Sequence, residues 1–116
     1  NIAQMAALEA LTGLQDSVKQ MVKAFDERKK LIYKRLNEID GISCIEPEGA
    51  FYAFPNIEDT GMDSMAFSSK LLDEALVAVV PGIAFGSDKH VRLSYATSIH
   101  EIERGMDRIE KWLKDK

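Results

Sequence analysis

The chain has 116 residues, which suits one domain with a modest core, and its hydrophobic fraction of 46% and charged fraction of 29% are those of an ordinary globular protein. A net charge of −4 disfavours a nucleic-acid or anionic-membrane partner, and no apolar run approaches the roughly 20 residues that span a bilayer. The single cysteine excludes an internal disulfide and a cysteine-based metal cluster, which favours a cytoplasmic location.

The first predicted element is a helix over residues 2–14, and apolar side chains occupy almost every face of it. A helix that is apolar all round needs burial all round, which a chain of this length can scarcely supply. Two explanations stay open: the segment associates with another copy, or its cover belongs to sequence upstream. The chain starts inside this helix without an initiator methionine, and we therefore expect a fragment of a longer protein.

A second, longer helix is predicted from Asp16 to Ile39, with apolar residues at helical spacing and Gly41 placed to end it. At a rise of about 1.5 Å per residue this helix would be about 36 Å long. Such a length matches or exceeds the width of a small domain. We therefore expect the helix to connect this domain to another one.

The remaining elements mix strands and helices with short connections. Strand-like runs occupy residues 42–46, 50–54, 76–80 and 91–95, the run at 76–80 being of the buried type. One helix is predicted from an Asp63 cap to about Ala75, and another from a capping box formed by Ser98 and Glu101. This order predicts an α+β fold: a small, mostly antiparallel sheet with helices packed on one face and a long N-terminal interdomain helix.

The last strand, in the stretch "HVRLSYATS", carries an arginine near its middle. Because side chains alternate between faces, Val91, Leu93 and Tyr95 share one side and Arg92 takes the other. An arginine on the solvated face of a sheet is ordinary. A guanidinium aimed into a ligand cleft is the alternative, and this stretch alone leaves both open.

Other candidate groups carry weaker signals. Residues 68–70 (Ser-Ser-Lys) suggest a serine–lysine pair, but they fall in mid-helix without an oxyanion loop, so a solvated helix face is expected. His90 and His100 lack metal-ligand spacing, and we expect no metal site. Residues 81–86 form a two-glycine loop beside the Arg92 strand, either a plain connector or part of a binding surface.

Five stretches, in the correct order, resemble the C-terminal portion of fold-type I, pyridoxal-phosphate-dependent aminotransferases of the aspartate aminotransferase-like class I/II family. They are "NIAQMAALEALTG", "MVKAFDERKKLIYKRLNEIDGI", "PEGAFYAFP", "VAVVPGIAFG" and "VRLSYATS" followed by an amphipathic helix. Each stretch by itself is a weak signal, but five in order are specific. The resemblance covers essentially the whole chain.

This resemblance implies a division of the chain and a role for one arginine. Residues 1–14 would belong to a large domain that is otherwise missing, and residues 15–116 would form the small C-terminal domain. The intact enzyme would transfer an amino group between an amino acid and a 2-oxo acid, with Arg92 binding the substrate α-carboxylate. Phe51 and Phe85 would line the same cleft, although core packing is an equal alternative for both.

The resemblance also implies what the fragment lacks. The intact enzyme would be a cytoplasmic homodimer using pyridoxal 5'-phosphate, with its Schiff-base lysine upstream of residue 1. No catalytic or cofactor-binding residue is expected in these 116 residues, so the fragment alone would be inactive. The alternatives are a free-standing α+β regulatory module that binds an amino acid, which would be expected to start with strands, and a structural protein that dimerises through residues 2–14.

Overall fold

The computed structural model describes all 116 residues as four α-helices and three short strands. The helices are α1 (Ile2–Thr12), α2 (Asp16–Asn37), α3 (Ser64–Ala75) and α4 (Ile99–Lys114). The strands are β1 (Tyr52–Ala53), β2 (Val80–Pro81) and β3 (Val91–Ser94), and 3₁₀ turns cover Glu58–Thr60 and Gly82–Phe85. Helices α1, α2 and α3 therefore lie within two residues of their predicted ends, and α4 begins directly after the predicted Ser98 cap.

The sheet has the order β1-β3-β2, and both strand pairs are antiparallel. The central strand, β3, presents Val91, Leu93 and Tyr95 to the core, where all three are buried. Their partners in the core come from α2, α3 and α4, including Leu36, Phe67 and the α4 residues Ile102, Met106, Ile109 and Trp112. The predicted α+β architecture with a small antiparallel sheet is confirmed.

Two helices begin at side-chain caps that the sequence marks. The Asp63 carboxylate accepts a hydrogen bond from the Ala66 N–H at 2.7 Å, and the Ser98 hydroxyl accepts one from the Glu101 N–H at 3.2 Å. Each cap satisfies one of the orphan donors of a helix N-terminus. The capping box at Ser98 is only half formed, because the Glu101 carboxylate pairs with Arg104 at 2.6 Å instead.

Two of the four predicted strands are wrong in extent. The run at 42–46 contributes only an isolated bridge between Ser43 and Asn56. The Asn37 side chain accepts from the Cys44 N–H at 2.9 Å and donates to its carbonyl at 3.1 Å, so a helix residue occupies the groups that a ladder would use. The run at 76–80 pairs only at Val80, and Leu76 is 70% exposed rather than buried.

Leu76 ends α3 in the left-handed region, with φ of +56° and ψ of 40°. Since a Cβ disfavours this region and glycine does not, Leu76→Gly is expected to raise the free energy of unfolding by about 0.5–1 kcal/mol. The matched change Leu72→Gly, at a half-exposed helical position, is expected to lower it by about 1 kcal/mol. Denaturant melts of the two variants measure both signs, and a destabilised Leu76→Gly protein contradicts the strain argument.

Helix α1 contains no buried residue. Ile2 is 90% exposed and Leu11 83%. The radius of gyration is 17.1 Å, against about 13 Å for a compact domain of this length, so the N-terminal part extends away from the sheet. No helix of the chain combines the length and the apolarity needed to cross a membrane.

Candidate functional site

Arg92 lies on the face of the sheet opposite the core. Its partner across the β2–β3 ladder is Val80. The guanidinium carbon, Cζ, lies 4.3 Å from the ring centroid of Tyr52 and 4.3 Å from that of Phe85. The side chain is half-buried between the two rings and does not extend freely into solvent.

The strand register explains how Tyr52 reaches the arginine. Tyr52 pairs with Ser94, and Ser94 lies two residues from Arg92, on the same face of β3. Tyr52 and Arg92 are therefore diagonal neighbours across the ladder, a separation that an aromatic ring and a long side chain bridge easily. Phe85 arrives from a different element, the 3₁₀ turn Gly82–Phe85 that follows β2.

The guanidinium of Arg92 makes no ion pair and no hydrogen bond within the chain, in contrast to Arg35. The Arg35 guanidinium lies 2.7 Å from Asp107, whose hydrogen bond raises the pKa of this arginine. Arg92 thus keeps its whole set of N–H donors, arranged in the planar fork that matches a carboxylate in bidentate fashion. Cation–π contacts on both sides fix the fork while leaving its edge free.

The rings of Phe54 and His90 lie next to the two rings that contact Arg92. Phe54 stacks on His90 with centroids 4.8 Å apart and an interplanar angle of 11°, and it meets Phe85 edge-on at 6.2 Å. The His90 Nδ1 atom is hydrogen-bonded to the Ser87 hydroxyl at 2.7 Å. Neither Tyr52 nor Phe54 is among the residues predicted from the sequence to lie beside Arg92. Alternation within "FYAFP" is the signal that places these two rings on one face.

Of the two phenylalanines predicted beside the arginine, Phe85 contacts it directly and Phe51 lies one ring away. The Phe51 ring contacts Tyr52 at 4.5 Å and Phe25 of α2 at 6.0 Å. It lines an apolar groove of about 410 Å³ between α2 and the turn before β1. Phe85 therefore lies at Arg92 itself, whereas Phe51 lines the neighbouring groove and contacts Tyr52.

Tyr95 closes the inner end of this groove. Its hydroxyl donates to the Ala50 carbonyl at 3.0 Å, and its N–H donates to the Phe51 carbonyl at 2.9 Å. Burial raises the pKa of the Tyr95 hydroxyl above its ordinary value, so the group stays a donor to a higher pH. Ala50, whose carbonyl accepts the first of these bonds, is in the left-handed region, at φ of +59°.

The other candidate residues lie apart from Arg92. Ser69 and Lys70 are exposed, as expected for a solvated helix face, but the expectation is wrong for Ser68, which is buried and donates to the Ser64 carbonyl at 2.7 Å. His100 is exposed in the first turn of α4. Burial raises the pKa of the Cys44 thiol, which makes it a poor nucleophile.

A model of the family described as "Aminotransferase class I and II" matches residues 1–109. An aspartate aminotransferase of Pyrococcus abyssi is 50% identical over 117 residues, covering 97% of this chain and 30% of its own length. The solved aromatic aminotransferase of Pyrococcus horikoshii superimposes with a TM-score of 0.90 at 48% identity, over 97% of this chain and 31% of that one. The solved alanine aminotransferase of Pyrococcus furiosus gives 0.92 at 42% identity, over 98% and 30%.

Proposed function

The chain belongs to the class I and II aminotransferase family, as its five motifs suggest, and from that premise we propose that Arg92 binds the carboxylate of an amino-acid or 2-oxo-acid substrate. The chain spans about a third of the length of the relatives it matches. The activity proposed for the whole protein is amino-group transfer between an amino acid and a 2-oxo acid. The family match gives no support to the alternative of a free-standing regulatory module.

One observation carries the proposal: a guanidinium held between two rings without a partner for its donors. A structural arginine normally meets a carboxylate of its own chain, as Arg35 meets Asp107. An arginine that is fixed in place and unpaired is suited to an acceptor from outside. Charge-assisted hydrogen bonds to such an acceptor are worth about 1.5–3 kcal/mol each, against about 1 kcal/mol for neutral ones.

Binding of the substrate carboxylate by Arg92, called here the carboxylate clamp, would increase the reaction rate as well as the affinity. Transfer of an amino group requires the Cα–H bond of the substrate to be held at a defined angle, and a bidentate contact fixes that angle. The rings of Tyr52 and Phe85 cover part of the guanidinium, and this partial removal of water would strengthen its attraction to a carboxylate.

We propose pyridoxal 5'-phosphate as the cofactor of the whole enzyme, where it would act as an electron sink for the carbanion formed at the substrate Cα. The groups around Arg92 do not fit it. They are one guanidinium and several rings, with no lysine amine among them, and the nearby Lys89 pairs with Glu58. The cofactor-binding groups are therefore proposed to lie outside these 116 residues, which by themselves would be inactive.

We further propose that residues 1–14 pack on the large domain of a cytoplasmic homodimer and that residues 15–116 form its small domain. The support is the apolar surface of α1, on which Ile2, Leu8 and Leu11 are all exposed. A continuous apolar surface of this kind calls for a covering partner in the folded protein.

The proposal is tested first with the full-length wild-type protein and three donors of matched side chain. We expect amino transfer from an amino acid to a 2-oxo acid, and a kcat/KM at least about tenfold lower for the corresponding amine, which lacks the carboxylate, because at least one charge-assisted hydrogen bond is lost. The amino-acid amide, close in size but uncharged, is the control for shape. An amine that reacts as well as the acid contradicts a carboxylate clamp.

A further inference from the structure

The segment that carries Phe85 is tied at both ends to one buried hydroxyl. Ser64, the first residue of α3, is 0% exposed. Its hydroxyl donates to Asp88 Oδ1 at 2.7 Å and accepts from the Ile83 N–H at 3.2 Å. Ile83 lies before Phe85 and Asp88 after it, so a single side chain spans the loop that presents the ring.

The backbone of Ser64 adds to the same connection. Its N–H approaches both the Asp88 carbonyl at 3.0 Å and Asp88 Oδ1 at 3.1 Å. One carboxylate oxygen of Asp88 thus receives the hydroxyl and the N–H of the same residue. Because bonds to a charged acceptor are about twice as strong as neutral ones, this is a firm attachment of the loop to the helix.

Neither Ser64 nor Asp88 pairs with Arg92. The contact with the guanidinium is made by Phe85, 4.3 Å away, and the Phe85 side chain is half-exposed. A ring with so little cover of its own depends on its backbone for its position. The attachment to Ser64 therefore helps to keep the ring against the guanidinium, together with the edge-on contact of Phe54 and the backbone hydrogen bonds of Gly82.

We propose that Ser64 and Asp88 are positioning residues that hold Phe85 against Arg92 and so set the affinity for the substrate carboxylate. This inference rests on the proposed function of Arg92. It adds two residues, distant from the ligand, whose loss would loosen the clamp for every carboxylate substrate without removing a charge from it.

The first test is Ser64→Ala in the full-length holoenzyme, with Ser68→Ala as the matched control. Ser68 lies one turn further along α3, is also buried, and bonds only within the helix. We expect Ser64→Ala to raise KM for both the amino acid and the 2-oxo acid by about threefold to tenfold, the size of one lost hydrogen bond, with kcat changed less than twofold. Ser68→Ala should leave both KM values unchanged. Equal KM values in the two variants would overturn the inference.

A double-mutant cycle shows whether Ser64 acts through the ring. Phe85→Leu removes the cation–π contact, so Ser64→Ala added to that variant should raise KM by less than twofold further. Two effects that multiply independently would mean that Ser64 stabilises the domain without positioning Phe85, and the inference would fail.

The exposed partner, Asp88, keeps the test valid if Ser64→Ala does not fold. Asp88→Ala should raise KM as Ser64→Ala does. Asp88→Asn retains an oxygen in the accepting position, so its log KM should lie at least halfway back from the Asp88→Ala value to the wild-type value. Absence of this rescue would contradict a positioning role.

Arg92→Ala, measured beside these variants, separates this inference from the proposed function. If Arg92→Ala leaves KM and kcat/KM intact, the carboxylate clamp itself is wrong. If Arg92→Ala is impaired while the Ser64 and Asp88 variants behave as wild type, the clamp stands and only the positioning role is lost.

Discussion

Replacing Arg92 with alanine in the full-length protein is expected to lower kcat/KM by about 10²-fold to 10⁴-fold for every amino acid and every 2-oxo acid it accepts. On the proposed role, two charge-assisted hydrogen bonds to the shared carboxylate would be lost together. Because all substrates carry that group, the factor should be similar across acidic, aromatic and small side chains. Steady-state kinetics with a panel of donors, at a fixed acceptor concentration, measures it.

Two further variants calibrate the Arg92 result. Arg92→Lys keeps the charge but not the planar fork, so we expect an intermediate loss. Arg104→Ala removes a surface arginine that pairs only with Glu101, and it should leave kcat/KM within twofold. A loss confined to donors of one side-chain type would assign Arg92 to side-chain recognition, contrary to our proposal.

Gly82→Ala is expected to lower the free energy of unfolding by about 1–3 kcal/mol, the usual cost of overpacking a tight site. A Cβ at this position would lie less than 3.0 Å from the carbonyl oxygens of Ser87 and His90. Hydrogen bonds hold the backbone that carries both oxygens. The Gly82 N–H donates to the His90 carbonyl at 2.8 Å, and the Gly82 carbonyl accepts from the Ser87 N–H at 3.0 Å. Thermal and denaturant unfolding of the purified protein measure the loss.

The matched control, Gly105→Ala, makes the same chemical change with the opposite expected sign. Gly105 lies inside α4, and a Cβ there meets nothing within 4 Å. Alanine should stabilise the helix by about 0.5–1 kcal/mol because it has the higher helix propensity. A Gly82→Ala protein as stable as the wild type would show that the loop has room to move.

Features decided by local chemistry were predictable from the sequence. Asp63 and Ser98 cap their helices because each has a side-chain oxygen and directly precedes a run with apolar residues at helical spacing. The faces of β3 were predictable because a one-residue slip would expose Val91, Leu93 and Tyr95 together. The position of Arg92 on the opposite face follows from that alternation alone.

Features decided by contacts distant in sequence were not predictable. The runs at 42–46 and 76–80 have the composition of strands, but Asn37 binds the backbone of the first and a left-handed Leu76 begins the second. The contact between Phe85 and Arg92 is made by a loop that is hydrogen-bonded to Ser64, 19 residues before Ile83 in the sequence. The composition of a short stretch does not indicate which distant residues it will contact.

An arginine held between Tyr52 and Phe85 has lost most of its rotameric freedom before any ligand arrives. Ligands then bind with a smaller entropic cost than they would at a mobile side chain. On the proposed role, Arg92 would not distinguish one amino acid from another, because each would present the same carboxylate to it. Selection among amino acids would then depend on surfaces that contact the opposite end of the ligand.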